Sequence, residues 1–360
     1  AIGHAALFSQ NFTTATNAYN VAMGVDAGFS ITTGVRNTLL GGQAGDALTD
    51  ADDNVVIGMG ALSADTLGSG SVAVGKGALA LQNFTTATTS YNVAVGLDAG
   101  NAITTGFQNT IMGGLAGDAL TDADSNVAVG YFALSNDSLG SFSVAIGSAA
   151  LAAQNFTTAT STYNTAVGAL AGNAITTGVF NTLIGGLAGD ALTDADHNVA
   201  VGEDALAQDT LGSKSVAIGR TALFAQNFTT ATDSLNTAVG YAAGASVTTG
   251  VENVFLGADT GDAVTTGSQN TFIGMNAGGA ATEGTFNAFL GRSSGSAMTT
   301  GSKNTIIGSY NGNQNSLDIR TSSNNIVLSD GDGNPRIVAN SSGQISAGDS
   351  FSIGGSGYTG

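Results

Sequence analysis

Asn109-Thr-Ile-Met-Gly113, Asn126-Val-Ala-Val-Gly130 and Ser143-Val-Ala-Ile-Gly147 are consecutive copies of one five-residue phrase, each beginning seventeen residues after the last. The phrase reads Asn or Ser, then as a rule Val or Thr, an apolar residue, a large aliphatic residue and Gly. It also begins at Asn20, Asn37, Asn54, Ser71, Asn92, Asn164, Asn181, Asn198, Ser215, Asn236, Asn253, Asn270, Asn287 and Asn304, seventeen copies in all. Such a period overrides any domain count taken from length. The spacings run 17, 17, 17, 21 three times and then 17 to the end, so a 72-residue super-repeat overlies the short one. Gln10, Gln82, Gln154 and Gln226, each opening Gln-Asn-Phe-Thr-Thr-Ala-Thr, mark it. Ala1-Ile2-Gly3 is the tail of a further copy, which predicts that the native chain extends N-terminally.

Seventeen residues is too short for a helix-turn-helix unit and suits short strands joined by turns. The phrase is β-branched, ends in Gly and is never interrupted by Pro, as expected of a strand in a parallel sheet. The expected fold is all-β, a parallel β-solenoid of 17- and 21-residue rungs. Stacked about 4.8 Å apart, seventeen rungs would make a rod roughly 80 Å long. Numbering the Asn as position 1, position 4 is always a large aliphatic residue, and with position 2 it is expected to point into the coil. Position 3 (Ala22, Leu39, Val56 through Phe255, Phe272, Phe289 and Ile306) is never polar either. Alternation sends it the other way, so the strand is expected to be buried on both faces. A 17-residue coil is too thin to bury its own outside, so position 3 is expected to pack on other copies of the chain, with a parallel homotrimer as the favoured assembly. Position 5 is Gly in every copy, position 9 is Gly in eleven and Leu in six, and the stacked Asn at position 1 suits a side-chain ladder.

Composition agrees. Of 360 residues 54 are Gly, one is Pro and none is Cys or Trp; 26 acidic against 8 basic residues give a net charge of -18. The hydrophobic share, 42%, is that of a chain with a core. The negative excess argues against nucleic acid and anionic membranes. No apolar run reaches the length of a membrane span, and no signal-peptide pattern is visible. With no Cys and two His, disulfides, zinc sites and His-based catalysis have little to draw on. The organisation expected is a solenoid shaft over 1–310, a C-terminal β module over 311–345 that caps it, and a Gly/Ser-rich tail over 346–360.

Units such as Ser71-Val-Ala-Val-Gly75, Ser143-Val-Ala-Ile-Gly147 and Asn236-Thr-Ala-Val-Gly240 resemble the head repeats of YadA-like trimeric autotransporter adhesins. That resemblance implies a trimeric left-handed parallel β-roll. The longer stretches Asn236 to Thr248 and Asn270 to Gly284, followed by Ser316-Leu-Asp-Ile-Arg320 and by Asn325 to Pro335, are similar to the repetitive tail fibres of bacteriophages. This second likeness implies a shaft leading to a chaperone cut off after folding. The adhesin heads usually repeat every 14 residues, so the loops here are expected to be longer, and no coiled-coil or anchor pattern is visible in residues 311–360.

Four features invite a site. Asp46, Asp50, Asp52 and Asp53 recur as Asp118, Asp122 and Asp124 and as Asp190, Asp194 and Asp196. Asp50, Asp52 and Asn54 have the spacing that opens a Ca²⁺ loop, as do Asp122, Asp124 and Asn126, and Asp194, Asp196 and Asn198, though no Glu follows at the twelfth place. Solvated acidic turns are the alternative, and Asp330, Asp332 and Asn334 read as a hairpin turn. The four-residue insertions carry Phe12, Phe84, Phe156 and Phe228, either in ligand-contacting loops or tucked against the shaft; their Asn-Phe-Thr is also a glycosylation sequon. Thr pairs such as Thr32-Thr33 and Thr104-Thr105 suggest an ice-binding array, but they skip rungs. A carboxylate pair such as Asp122 with Asp124 could be drawn as a glycosidase site, yet the same Asp pattern recurs threefold, unlike a singular catalytic centre.

The expected function is therefore non-enzymatic and without a resident cofactor: the extracellular, trimeric shaft of a phage tail fibre involved in host attachment. Its expected partners are copies of itself, other virion or fibre proteins and a host receptor. A bacterial cell-surface adhesin is the alternative, with Ca-binding or ice-binding solenoids behind it.

Overall fold

The computed structural model describes residues 1–347; the expected tail from 348 onward lies outside the described residues. Two compact units divide the chain, Ala1–His197 and the part from Asn198 onward. Each is a stack of coils whose three-residue strands pair in parallel and in register, and all regular structure described is strand. In the first unit the ladder runs from Val21–Met23 through Thr38–Leu40, Val55–Ile57, Val72–Val74, Val93–Val95, Thr110–Met112, Val127–Val129, Val144–Ile146 and Thr165–Val167 to Thr182–Ile184. In the second it runs from Val199–Val201 through Val216–Ile218, Thr237–Val239, Val254–Leu256, Thr271–Ile273 and Ala288–Leu290 to Thr305–Ile307. The parallel β-solenoid read from the repeat is the fold.

The faces of the strand are the reverse of the expectation. Position 3 is the core: Leu39, Val56, Ala73, Ile111, Leu183, Phe255 and Phe272 have no exposed surface. Positions 2 and 4 point outward, leaving Val21 52%, Met23 48% and Leu290 48% exposed. Position 1 sets this parity. Asn126 lies inside, where its Nδ2 donates to the Gly140 carbonyl of its own coil (2.9 Å) and its Oδ1 accepts from the Ser143 N–H of the next rung (2.8 Å). Asn109 does the same with Ala123 (2.7 Å) and Asn126 (2.9 Å). Because side chains alternate along a strand, an inward Asn at position 1 forces position 3 inward and positions 2 and 4 out. A buried amide must keep its partners, so the parity is fixed by hydrogen bonding, on a strand where hydrophobicity alone cannot choose.

Packing inside the coil is a trade between positions 3, 9 and 12. Where position 9 is Gly, its neighbours occupy the space: a Cβ on Gly45 would overlap Leu48 and Leu39, and one on Gly278 would overlap the Phe272 ring. Where position 9 is Leu, as at Leu134 and Leu151, position 3 is Ala in five rungs of six (Val56 is the exception) and position 12 is polar, as at Asp137 and Gln154. Interiors pack near crystal density, so one column gives way as another grows. The split between Gly and Leu at position 9 follows from this.

The 21-residue rungs that begin at Ser71, Ser143 and Ser215 carry at position 1 a side chain too short to bridge rungs as Asn does. In the rung that begins at Ser143, Gln154 takes over, donating to Asp137 (2.5 Å) and Ser143 (2.8 Å) and accepting from Asn164 (2.9 Å). Asp137 also accepts the N–H groups of Gly140 (3.1 Å) and Phe156 (3.0 Å), so it holds the inserted loop down, and Gly140–Ser141 pairs with Thr160–Ser161. The same constellation recurs around Asp65 with Gln82 and around Asp209 with Gln226.

Beyond the last counted copy the ladder continues for one more rung. Asn325 stands 21 residues after Asn304 and bonds its Oδ1 through both its N–H (3.0 Å) and its Nδ2 (2.9 Å), while Ile326–Ser329 pairs in parallel with Thr305–Ile307. Ser329 replaces the Gly, which hid this copy in the sequence. Pro335–Ala339 then pairs antiparallel with Ile326–Ser329, covering an otherwise open parallel edge, and Ile345–Ala347 pairs antiparallel with Pro335–Ala339. The turn between is held by Asp330, which accepts from the Asp332 and Asn334 N–H groups and pairs with Arg336, so it is the hairpin turn expected there.

Candidate functional site

The most conspicuous surface of the first unit is the outward face of its sheet. Positions 2 and 4 of its ten full rungs hold only Val, Thr, Met, Leu and Ile. Ile57, Met112, Ile146 and Ile184 are each more than a third exposed. At a few tens of Å² per side chain this face presents on the order of 1,000 Å² of contiguous apolar surface, well above the ~300–600 Å² of a typical largest patch. The second unit repeats the pattern with Ile218, Val254, Leu256, Leu290 and Ile307. The reading from sequence missed this face because positions 2, 3 and 4 are all apolar. The signal that could have found it is the volume trade between positions 3 and 9, which only two interior columns would show.

Two columns flank the face, position 17 before the Asn and position 6 after the Gly. Position 17 takes the left-handed backbone region in non-glycine residues, with φ near 60° at Arg36, Asp53, Phe180 and His197, and so turns its side chain out beside the sheet. Four successive rungs of this column carry rings. Phe142 stacks on Tyr163 (5.3 Å between centroids), Tyr163 on Phe180 (5.5 Å) and Phe180 on His197 (4.9 Å), within 17° of parallel throughout. The rung spacing places the rings at stacking distance, and all four are exposed.

The acidic turns are bound into the neighbouring coil. Asp50 accepts from the Thr33 hydroxyl (2.6 Å), Asp52 from the Val35 N–H (2.8 Å), and Asn54 lies in the buried ladder. Asp122 and Asp124 do the same for Thr105 and Phe107, with Asn126 in the ladder, and Asp194 and Asp196 for Thr177 and Val179. Asn198 donates to Gly212 (2.9 Å). Each turn thus sends its two carboxylates to separate donors and its Asn into the core. Among the described residues no three acidic or His side chains converge on one point. Phe84, Phe156 and Phe228 are 5 to 7% exposed, so the rings anchor the inserted loops and the Thr run is what those loops display; Phe12 is half-buried. Thr32, Thr49 and Thr104 donate their hydroxyls to carbonyls of the next coil. A groove of about 460 Å³ beside Leu317, Pro335 and Val338 has its amides engaged, Asn315 donating to Asn334 (2.7 Å).

Burial pushes the carboxyls of Asp46, Asp118 and Asp262 above the ordinary range, with smaller pushes from Asp26, Asp98 and Asp259. Burial raises Asp65 too, against the hydrogen bonds it accepts, and Asp124, beside Asp122. A carboxyl raised in the folded state binds its proton more tightly there than in the unfolded chain. Its contribution is complete below the unfolded value and is lost as pH rises through the folded one. The chain should therefore gain stability on mild acidification. We expect the midpoint of thermal unfolding to rise between pH 7 and pH 4.5. A scan by circular dichroism across that range checks it, and a fall in midpoint would contradict the assignment.

The chain matches no protein-family model, and no curated protein or solved structure matches it. Function must be argued from the repeat and from the surface it presents.

Proposed function

We propose that this protein is a non-enzymatic structural fibre: a self-associating β-solenoid shaft, trimeric, that belongs to a phage tail fibre and serves host attachment. The observation that carries the reading is the uncharged outward face of positions 2 and 4, repeated in every rung. Its area matches what a stable interface buries, about 800 Å² per partner, and another copy offers a surface of equal length and period. The inward turn of position 3 changes which residues make the contact, from the position-3 column to Val129, Ile146, Val167 and their neighbours. The acidic turns, with the chain at -18, keep the remaining surface soluble and away from phosphate backbones. Location outside the cell, on a virion, rests on the resemblance of the repeats to tail fibres; a YadA-like cell-surface adhesin is the second reading, carried by the same repeats.

Two lysines on the outward face test the assembly. Val129→Lys with Ile146→Lys leaves the core columns untouched and should turn the oligomer into a folded monomer by light scattering, with the β spectrum retained. A wild-type chain that is monomeric at micromolar concentration would defeat the reading. Antibody labelling of the native particle in the electron microscope separates virion from cell surface.

A further inference from the structure

Resting on the self-association just proposed, the flanking columns say how two copies meet. Five consecutive rungs of the first unit, those beginning at Asn109, Asn126, Ser143, Asn164 and Asn181, carry no Asp, Glu, Lys or Arg at positions 2, 4, 6 or 7 or at the last position before the next rung. The rungs at Asn20, Asn37, Ser71 and Asn92 do carry charge there, with Asp26, Arg36, Asp53, Lys76 and Asp98 at the same flanks. In the last four rungs of the uncharged band the two flanks differ in bulk. Position 17 is the ring ladder of Phe142, Tyr163, Phe180 and His197, whereas position 6 of the last three rungs is small: Ser148, Ala169 and Gly186. A small shelf on one edge, with Leu170 40% exposed beside it, thus lies across the face from a tall aromatic ridge on the other.

We propose that a neighbouring copy lies parallel to the first and lays its aromatic ridge, Tyr163, Phe180 and His197, on the shelf of Ser148, Ala169 and Gly186. The argument is geometric. When copies turn about an axis parallel to the strand stack, the position-17 edge of one meets the position-6 edge of the next, so bulk faces space. When they run antiparallel, ridge meets ridge and shelf meets shelf, which crowds one edge and leaves the other unfilled. Shape complementarity at interface cores approaches that of protein interiors, and clustered aromatic anchors seated against a complementary surface dominate binding energy. Parallel copies satisfy both conditions. An edge-to-edge contact of this kind is heterologous, and it closes into a ring around the apolar faces.

The absence of Cys makes the test clean. The double variant Ala169→Cys with Phe180→Cys, treated with a short thiol-reactive cross-linker, should give covalent dimers and trimers on a denaturing gel, while each single variant gives none. The pair Ser148→Cys with Tyr163→Cys repeats the test one rung away and guards against a fold lost at Phe180. Cross-linking of the Phe180→Cys single variant to itself would mean ridge on ridge and would overturn the proposal. So would an oligomer, intact by light scattering, in which neither pair cross-links. A monomeric wild-type chain would instead remove the self-association on which the proposal rests.

Discussion

Gly130→Ala is expected to destabilise the first unit by about 4 kcal/mol or more. Gly130 has φ 138°, a region closed to L side chains, and a Cβ there would lie inside contact distance of the Gly147 carbonyl oxygen in the next rung. The obstacle is backbone, so no side chain can swing away. Moving it would break the 2.7 Å bond from the Gly130 N–H to the Met112 carbonyl and disturb the rungs on either side. Gly60→Ala makes the control: φ is 64° but nothing stands within 4 Å, so only the cost of a left-handed residue, about 1–2 kcal/mol, should appear. Urea unfolding of the two variants side by side measures the difference, and equal midpoints would show that rung contact is not what fixes the Gly.

Asn126→Ala should cost about 3–5 kcal/mol. It deletes two hydrogen bonds and orphans the Gly140 carbonyl and the Ser143 N–H in an interior where Asn126 has no exposed surface. Each stranded polar group carries about 1–3 kcal/mol of desolvation, and the lost side-chain volume adds a cavity. Asn126→Asp should fare little better, because it keeps the acceptor for Ser143, loses the donor to Gly140 and buries a charge. Chemical denaturation read by circular dichroism decides it; loss under 1 kcal/mol would mean that the ladder is ornamental.

Much of the fold was legible because it is written seventeen times. The period, the parallel pairing, the Asn ladder and the Gly at each turn follow from residues whose roles are local: an amide that can bond a rung above, a glycine where backbone crowds backbone. The rung at Asn325 escaped because Ser329 stands where every other copy has Gly. The acidic turns looked alike as metal loop or solvated turn, since spacing alone cannot say whether Asp50 and Asp52 point together. They point apart, to Thr33 and Val35 of the preceding coil.

The sequence by itself determined that identical rungs would stack, and where each begins, because a repeated hydrogen-bonding side chain needs its copy one rung away. Which side of the strand is core was decided only by tertiary structure. Val127, Ala128 and Val129 are apolar alike, and hydrophobicity has no preference among them until Asn126 is turned inward to meet Gly140 and Ser143. That turn sends Ala128 into a coil whose remaining space is filled by Leu134, and it leaves Val127 and Val129 facing out. The ring ladder likewise exists only because coil stacking brings Phe142, Tyr163, Phe180 and His197, spread over 56 positions of sequence, to stacking distance.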